Sequence, residues 1–279
     1  MEFATLQSLH KTILSALKIS ADTAGLPCSR AQELGSDFLT KNTMVSLTIW
    51  HIINPQNIQG FPITSDSFKV YDFPSAHVLI RTLFEGYINM NVLIDPKSDE
   101  EREFRLNLWD RHALLERQKM ASSIGSQHKK VKIEERRIDV YAESIKNSQY
   151  FRTLPGDEQQ SFLNMHKWTK LNTIQRADKA NIHRSQSEFI YKFLSNYAHS
   201  EAFALMQIHS VFSVQMAQKL MRFPIRFTEM FLNLTLKLFA KLHPVATSII
   251  ESDQDLLEII DLWEDLKRKD LKEVSRTGI

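Results

Sequence analysis

The scarcity of turn-forming residues constrains the fold of this chain more than any other feature. Glycine occurs 7 times and proline 8 times in 279 residues, which is too few for the many turns of an all-β or α/β protein. Apolar residues recur instead at helical spacing along most of the sequence. They make up 43% of the chain, so the chain can bury a sizeable core. We therefore predict an all-α protein, a multi-helix bundle.

Serine residues mark the expected starts of three helices. Ser29, Ser75 and Ser98 each stand just before a stretch of helical periodicity, where a side-chain oxygen can cap the first turn. Glu101 follows Ser98 by three residues, which is the pattern of a capping box. Residues 54–75 lack a sustained period and are predicted to form the longest irregular connection of the chain.

Two further regions decide the predicted domain organisation. From residue 185 to about residue 221 the pattern is helical, which predicts one long helix bent near His199. Residues 100–148 are highly charged in their second half but keep a narrow apolar face, and they predict a projecting helical hairpin. Because no low-complexity linker divides the sequence, we predict one all-helical domain over residues 1–279, with 100–148 as its most separable part.

Charge and cysteine content indicate the cellular setting. The chain has 35 Lys and Arg against 33 Asp and Glu, so no overall field attracts nucleic acid or an acidic membrane. The one cysteine, Cys28, suits a reducing compartment. The N-terminal segment lacks the apolar core of a signal peptide, and no run reaches about 18 apolar residues. We expect a cytoplasmic protein that does not bind membranes.

Motifs for cofactors and metals are missing from the sequence. The P-loop, the Gly-x-Gly-x-x-Gly fingerprint, His-Glu-x-x-His and Gly-x-Ser-x-Gly do not occur. His112 and Glu116 are spaced for one helix face, but two ligands are weak evidence for a metal site. We expect no cofactor and no metal, so any catalysis would rest on proton transfer and anion stabilisation.

Two predicted helices carry a polar stripe where a bundle helix usually carries apolar residues. The stripes consist of residues four positions apart, which lie along one face of a helix. They are Arg81, Glu85 and Asn89 in the first helix, and Tyr191, Ser195 and His199 in the second. Such a stripe is either a buried network that fixes helix register or a functional site. We expect the two stripes to face each other.

The functional interpretation assigns a role to each stripe residue. His199 would transfer a proton, Arg81 would hold a phosphate or carboxylate, and Glu85 would orient Arg81 or tune His199. These three are the predicted catalytic residues. The predicted ligand-binding residues supply directional hydrogen bonds, and they are Asn89, Tyr191 and Ser195. This set is sufficient for metal-independent RNA cleavage, in which a 2′-hydroxyl attacks its own phosphate. It is equally sufficient for binding a small anion without catalysis.

The order of these residues resembles a family of prokaryotic all-helical proteins described only as a domain of unknown function. The resemblance covers roughly residues 70–210. It is carried by both stripes together with the intervening residues Tyr87, Trp109 and Arg117. It includes a charged helical region between the stripes, as expected for the family.

More distantly, the layout is similar to the HEPN superfamily, helical bundles of toxin–antitoxin and phage-defence systems. Many members resemble one another in an Arg-x(4–6)-His ribonuclease motif. Here Arg105 precedes His112, and Arg176 precedes His183, with that spacing, although about one or two such matches are expected by chance. No arginine stands four to six residues before His199, so Arg81 would serve from another helix.

Several surfaces indicate partners. The basic run 128–137 could contact RNA phosphates, but interleaved acids favour a solvated helix face. Lys179, His183 and Arg184 could extend a basic mouth beside the second stripe. The phenylalanine-rich tract 203–239 is predicted to be core or an oligomer interface.

These observations lead to a ranked set of functions. The first is a HEPN-like effector of a prokaryotic stress or antiviral defence system, a dimer that cleaves RNA without metal. The alternative is a non-catalytic protein whose stripes bind a small anionic ligand or only specify the fold. A third is binding of a protein partner through residues 100–148. Solvent access to His199 separates the functional from the purely structural interpretation.

Overall fold

The computed structural model describes residues 4–53, 72–124, 128–165, 167–211 and 213–276. These residues form helices and connections, with no β-strand among them, so the all-α prediction is confirmed. The helices are α1 (Leu6–Thr23), α2 (Arg30–Ile53), α3 (Phe73–Ile94), α4 (Asp99–Ile124), α5 (His128–Asn147), α6 (Gln149–Thr153), α7 (Gly156–Asn164), α8 (Thr173–Lys179), α9 (Arg184–Ala198), α10 (Ala202–His209), α11 (Val214–Ala240), α12 (Pro244–Ser252), α13 (Gln254–Leu266) and α14 (Leu271–Arg276).

Two of the three predicted serine caps are confirmed. Ser29 and Ser98 accept hydrogen bonds from backbone N–H groups three residues later, at 3.3 and 3.2 Å. The third is wrong, because α3 begins before Ser75 and the Asp72 carboxylate accepts from the Ser75 N–H at 3.1 Å. Most of the predicted connection 54–75 falls outside the described residues.

The predicted long helix over 185–221 is wrong. The chain forms α9, α10 and the start of α11 there. His199 ends α9, and Ser200 adopts a left-handed conformation with φ of 54°. A single residue in that region reverses the local path of the backbone and stops the helix.

The described chain divides into two compact units, Met1–Val92 with Thr173–Ile279, and Leu93–Asn172. In the first unit α11 packs against α1, α2, α12 and α13. The second half of α11 is surrounded on almost every side, and Phe231, Leu236 and Phe239 have no exposed surface. A helix buried all round is the centre of a core. The number of domains in the whole chain stays a prediction.

The phenylalanine-rich tract 203–239 therefore has two environments. Its second half, within α11, is core, whereas α10 leaves Phe203, Leu205 and Met206 about half exposed or more. Apolar residues of α10 are thus solvent-facing within the first unit. The tract combines buried and exposed segments that a single periodic pattern does not distinguish.

The second unit contains the charged helical hairpin, as predicted. Helix α4 packs against α5 and α6. Arg117 forms an ion pair with Glu134, and the Tyr150 hydroxyl donates to Glu101 Oε1 at 3.3 Å. The residue of α4 with the lower number thus contacts the residue with the higher number, so α4 runs antiparallel to the segment that α5 and α6 form. Most charged side chains of α5 are exposed.

Within the described segments, no helix combines the length and the apolar character needed to cross a membrane.

Candidate anion-binding site

The two polar stripes lie on two helices of the first unit. Helix α3 carries Arg81, Glu85 and Asn89, and α9 carries Tyr191 and Ser195. His199 is the C-cap of α9, with φ of −107° and ψ of 7°, and its backbone N–H donates to Ser195 O at 3.0 Å. The helix end therefore fixes the position of the imidazole, while the following turn leaves it at the surface.

The stripes meet at Arg81. Its Nε donates to Glu85 Oε1 at 3.2 Å, and its Nη1 lies 3.4 Å from His199 Nε2. Its guanidinium carbon lies 5.1 Å from the centre of the Tyr191 ring, within the range of a cation–π contact. One guanidinium thus contacts a carboxylate, an aromatic ring and an imidazole, so the predicted meeting of the stripes is confirmed for Arg81, Tyr191 and His199.

The contact between Arg81 and His199 sets a condition on the imidazole. A guanidinium only donates hydrogen bonds, so the contact is a hydrogen bond in the tautomer in which His199 Nε2 accepts. At 3.4 Å the bond is long and therefore weak. A ligand that attracts Arg81 would release Nε2 as a free proton acceptor.

Asn89 has a different partner from the one expected. Its Oδ1 accepts a hydrogen bond from Arg176 Nη1, and Arg176 Nη2 donates to Thr173 Oγ1 at 3.0 Å. Burial lowers the pKa of Arg176, and the nearby charges of Glu85 and Tyr191 act in the opposite direction. Arg176 of α8 therefore belongs to the same network and adds a second guanidinium.

Ser195 forms a bond within its own helix. Its hydroxyl donates to Tyr191 O at 2.6 Å, a common arrangement for serine four residues after a carbonyl. The hydroxyl hydrogen is therefore directed along α9. In this arrangement Ser195 can accept a hydrogen bond from a ligand but does not donate one.

The site is open to water. His199 is exposed, and the side chains of Arg81 and Glu85 are 19% and 39% exposed. Asn89, Tyr191 and Arg176 are half-buried. A wholly buried network would have restricted these residues to a structural role, whereas this one is accessible to a ligand.

A second histidine of α3 belongs to the core instead. His77 has no exposed surface and lies among aromatic rings, with the Tyr197 ring centre at 4.4 Å and the Phe193 ring centre at 5.1 Å. Burial lowers its pKa to about 3. His77 is therefore neutral near pH 7 and packs as an aromatic residue beneath the site helices.

The arginines of the two Arg-x(4–6)-His matches contact an acid and an amide. Arg105 forms an ion pair with Glu101 within α4. Arg176 contacts Asn89, whereas His183 is the N-cap of α9 and its Nδ1 accepts from Ser185 N at 3.2 Å. Among the described residues, no three His, Cys, Asp or Glu side chains come together as metal ligands.

Arg176 is the site residue that sequence reasoning missed. The sequence indicated Arg176 only as part of an Arg-x(4–6)-His motif with His183, because no periodic pattern connects α8 to α3. The one available signal was its position shortly before the second stripe, in a segment also rich in basic residues. A stripe of polar residues is visible within one helix, but a single arginine from a third helix is not.

The chain belongs to a family of unknown function, DUF5677, whose model matches residues 66–216. The matched region contains both polar stripes and Arg176. No curated protein and no solved structure gives a match.

Proposed function

We propose that this member of the DUF5677 family is a metal-independent ribonuclease of the HEPN type, a cytoplasmic effector in a prokaryotic stress or antiviral defence system. The observation that supports the proposal is the contact between Arg81 and an exposed His199, 3.4 Å apart. The pair places an anion-binding guanidinium beside an imidazole that is ready to accept a proton. RNA supplies both the anion and the proton.

The proposed reaction begins when an RNA phosphate binds to Arg81. Arg81 turns from His199 Nε2 to the phosphate oxygens, with Arg176 as a second cation. Glu85 holds Arg81 Nε and acts as a positioning residue. The 2′-hydroxyl of the adjacent ribose then lies beside the freed Nε2.

In the chemical step the 2′-oxygen attacks phosphorus while its proton passes to His199 Nε2. The two guanidiniums stabilise the negative charge that develops on the phosphoryl oxygens. The bond from phosphorus to the 5′-oxygen breaks, which leaves a 2′,3′-cyclic phosphate and a 5′-hydroxyl. Solvent supplies the proton of that hydroxyl, since the site is open to water.

The test is RNA cleavage by the purified protein in the presence of a metal chelator. We expect products ending in 2′,3′-cyclic phosphate, and a rate about 10²–10⁴ times lower in His199→Ala, the loss typical of a general base. His51→Ala is the matched control, because His51 is also exposed and lies at the end of α2. Equal rates in the parent and His199→Ala would contradict the proposal.

A second candidate function is binding of a small anion without catalysis. It is favoured by the second arginine, since Arg176 is held by Asn89 and Thr173 near the charge of Glu85. Two guanidiniums suit a phosphate or carboxylate. For this function, inorganic phosphate should raise the melting temperature of the parent but not of Arg81→Ala, and no RNA should be cleaved.

We further propose that the ribonuclease acts as a homodimer and that residues 100–148 offer a surface for a protein partner. Most charged groups of α5 are exposed and include both signs, which suits a polar and reversible contact. Sedimentation of the purified protein tests the dimer.

A further inference from the structure

A polar cavity lies in the first unit, among elements that carry none of the stripe residues. It is formed by the end of α1, the connection to α2, the first turns of α2, and the junction of α11 with α12. Its volume is about 250 Å³, room for a molecule much smaller than a nucleotide. Its lining includes Thr23, Cys28, Glu33, Asp37, Phe239 and His243.

The buried side of this cavity holds a histidine with an unused ring nitrogen. His243 is only 4% exposed and stacks on Phe239 with ring centres 4.5 Å apart. Its Nε2 is buried and has no hydrogen-bond partner among the described residues. The Oγ of Ser20, which also lines the cavity, is likewise buried and without a hydrogen-bond partner among the described residues. Buried polar atoms of folded proteins are usually satisfied, so this pair indicates a missing partner.

The open side of the cavity is acidic. Glu33 and Asp37 lie four residues apart on α2, and both are exposed. Like charges at this spacing repel each other. Glu33 also stands in the first turn of α2, where the helix dipole favours an acid, but that argument does not extend to Asp37. The two carboxylates together create a negative potential at the mouth.

We propose that this cavity binds a small organic cation, a protonated primary amine that carries a second hydrogen-bond donor. The ammonium group lies between Glu33 and Asp37, where charge-assisted hydrogen bonds are strong. The second donor reaches inward to His243 Nε2. The aliphatic part between them covers Phe239 and the stacked face of His243. The two carboxylates at the mouth disfavour an anionic ligand, which separates this site from the one at Arg81.

Cys28 allows the proposal to be tested directly. It is the one cysteine of the chain, it is exposed, and it lines the cavity. The rate at which an uncharged reagent such as iodoacetamide modifies Cys28 therefore reports occupancy without any assay of activity. The probe is 5-amino-1-pentanol, and the matched compound without a cation is 1,5-pentanediol.

We expect the amino alcohol to slow modification of Cys28, by about tenfold when its concentration is ten times the dissociation constant. The diol should not. Protection should be lost in the double variant Glu33→Gln, Asp37→Asn and weakened in His243→Phe, which keeps a ring to stack on Phe239. The control Asp22→Asn changes an exposed carboxylate at the end of α1 that does not line the cavity, and it should keep full protection.

Three results would overturn the proposal. They are no protection by the amino alcohol at millimolar concentrations, equal protection by the diol, and unchanged protection in the Glu33→Gln, Asp37→Asn double variant. Far-UV circular dichroism of each variant identifies any loss of protection that comes from unfolding. His243→Phe with native helicity and full protection would likewise contradict the inner contact.

Discussion

Two polar networks of the first unit differ in their access to water. At the first, Arg81, Glu85 and His199 meet in an open site, and His199 is exposed. At the second, Glu229 has no exposed surface, and its Oε2 accepts from the Trp263 indole N–H at 3.1 Å and from a backbone N–H at 2.9 Å. Burial raises the pKa of Glu229.

The fold depends on the buried network more than on the open one. A buried donor without its acceptor costs about 1–3 kcal/mol, so the groups around Glu229 need one another for folding. The pair of Arg81 with Glu85 is only partly buried, with Glu85 39% exposed, so water can take the place of a lost partner and the pair contributes about 0–1 kcal/mol. The contacts of Arg81 therefore add little to stability, and their arrangement is available for binding and catalysis.

Removing one carboxylate from each network gives the largest expected contrast. Glu229→Ala leaves the indole N–H of Trp263 and the Ala4 N–H without their acceptor, and we expect it to lower the free energy of unfolding by about 2–4 kcal/mol. Glu85→Ala should lower it by less than about 1 kcal/mol. Urea unfolding of both variants measures the two values. Equal losses would remove the distinction between the networks.

The buried His77 of α3 adds a pH dependence to this contrast. The folded pKa of His77, about 3, lies below its usual value of 6.5, so the unfolded state binds the proton more readily. Stability should therefore fall as the pH drops through 6.5 towards 3. Between pH 8 and pH 5 the contribution is about 2 kcal/mol. In His77→Leu, the loss of unfolding free energy over that range should be smaller by this amount.

His51→Ala serves as the control for the pH experiment, because it removes a histidine from the surface at the end of α2 and not from the core. Urea unfolding at both pH values supplies the four free energies needed for each comparison. If His77→Leu retains the full acid sensitivity of the parent, burial of His77 does not govern it.

Substitution of Gly86, which packs against Asn42, should have a smaller effect on stability. A Cβ atom at Gly86 would overlap Asn42 Oδ1, and Asn42 is held in place by a hydrogen bond from its Nδ2 to Thr235 Oγ1 at 3.0 Å. The overlap costs about 1–3 kcal/mol, and the better helix propensity of alanine offsets about 1 kcal/mol. Gly86→Ala should therefore lower the midpoint of urea unfolding slightly. A clear rise would show that Asn42 moves freely.

The fold was largely predictable because helices leave local signals. Apolar periodicity and the caps at Ser29 and Ser98 identified helices that the structure contains, and the charged hairpin was recognised by its narrow apolar face. The break after α9 was not predicted. Ser200 adopts a left-handed conformation there, and the glycine or proline that usually marks the end of a helix is absent from this position.

The candidate site was only partly predictable because its contacts join distant segments. Four-residue spacing identified Arg81 and His199, and these two do meet. The same rule could not foresee that Asn89 is bound by Arg176 from α8. The buried network at Glu229 was not predicted for a related reason. Glu229 is a single acid in an apolar helix, so no residue spacing indicates its partners.

Stability and RNA cleavage, measured on the same Arg81→Ala protein, test most directly whether Arg81 serves cleavage and not folding. We predict that cleavage in the presence of a chelator is lost, while the free energy of unfolding changes by less than about 1 kcal/mol. The control Arg268→Ala removes an exposed arginine from its pair with Glu264. It should leave cleavage unchanged and change the free energy of unfolding by less than about 1 kcal/mol. A loss of several kcal/mol in Arg81→Ala, or undiminished cleavage, would contradict a catalytic role for Arg81 that is separate from folding.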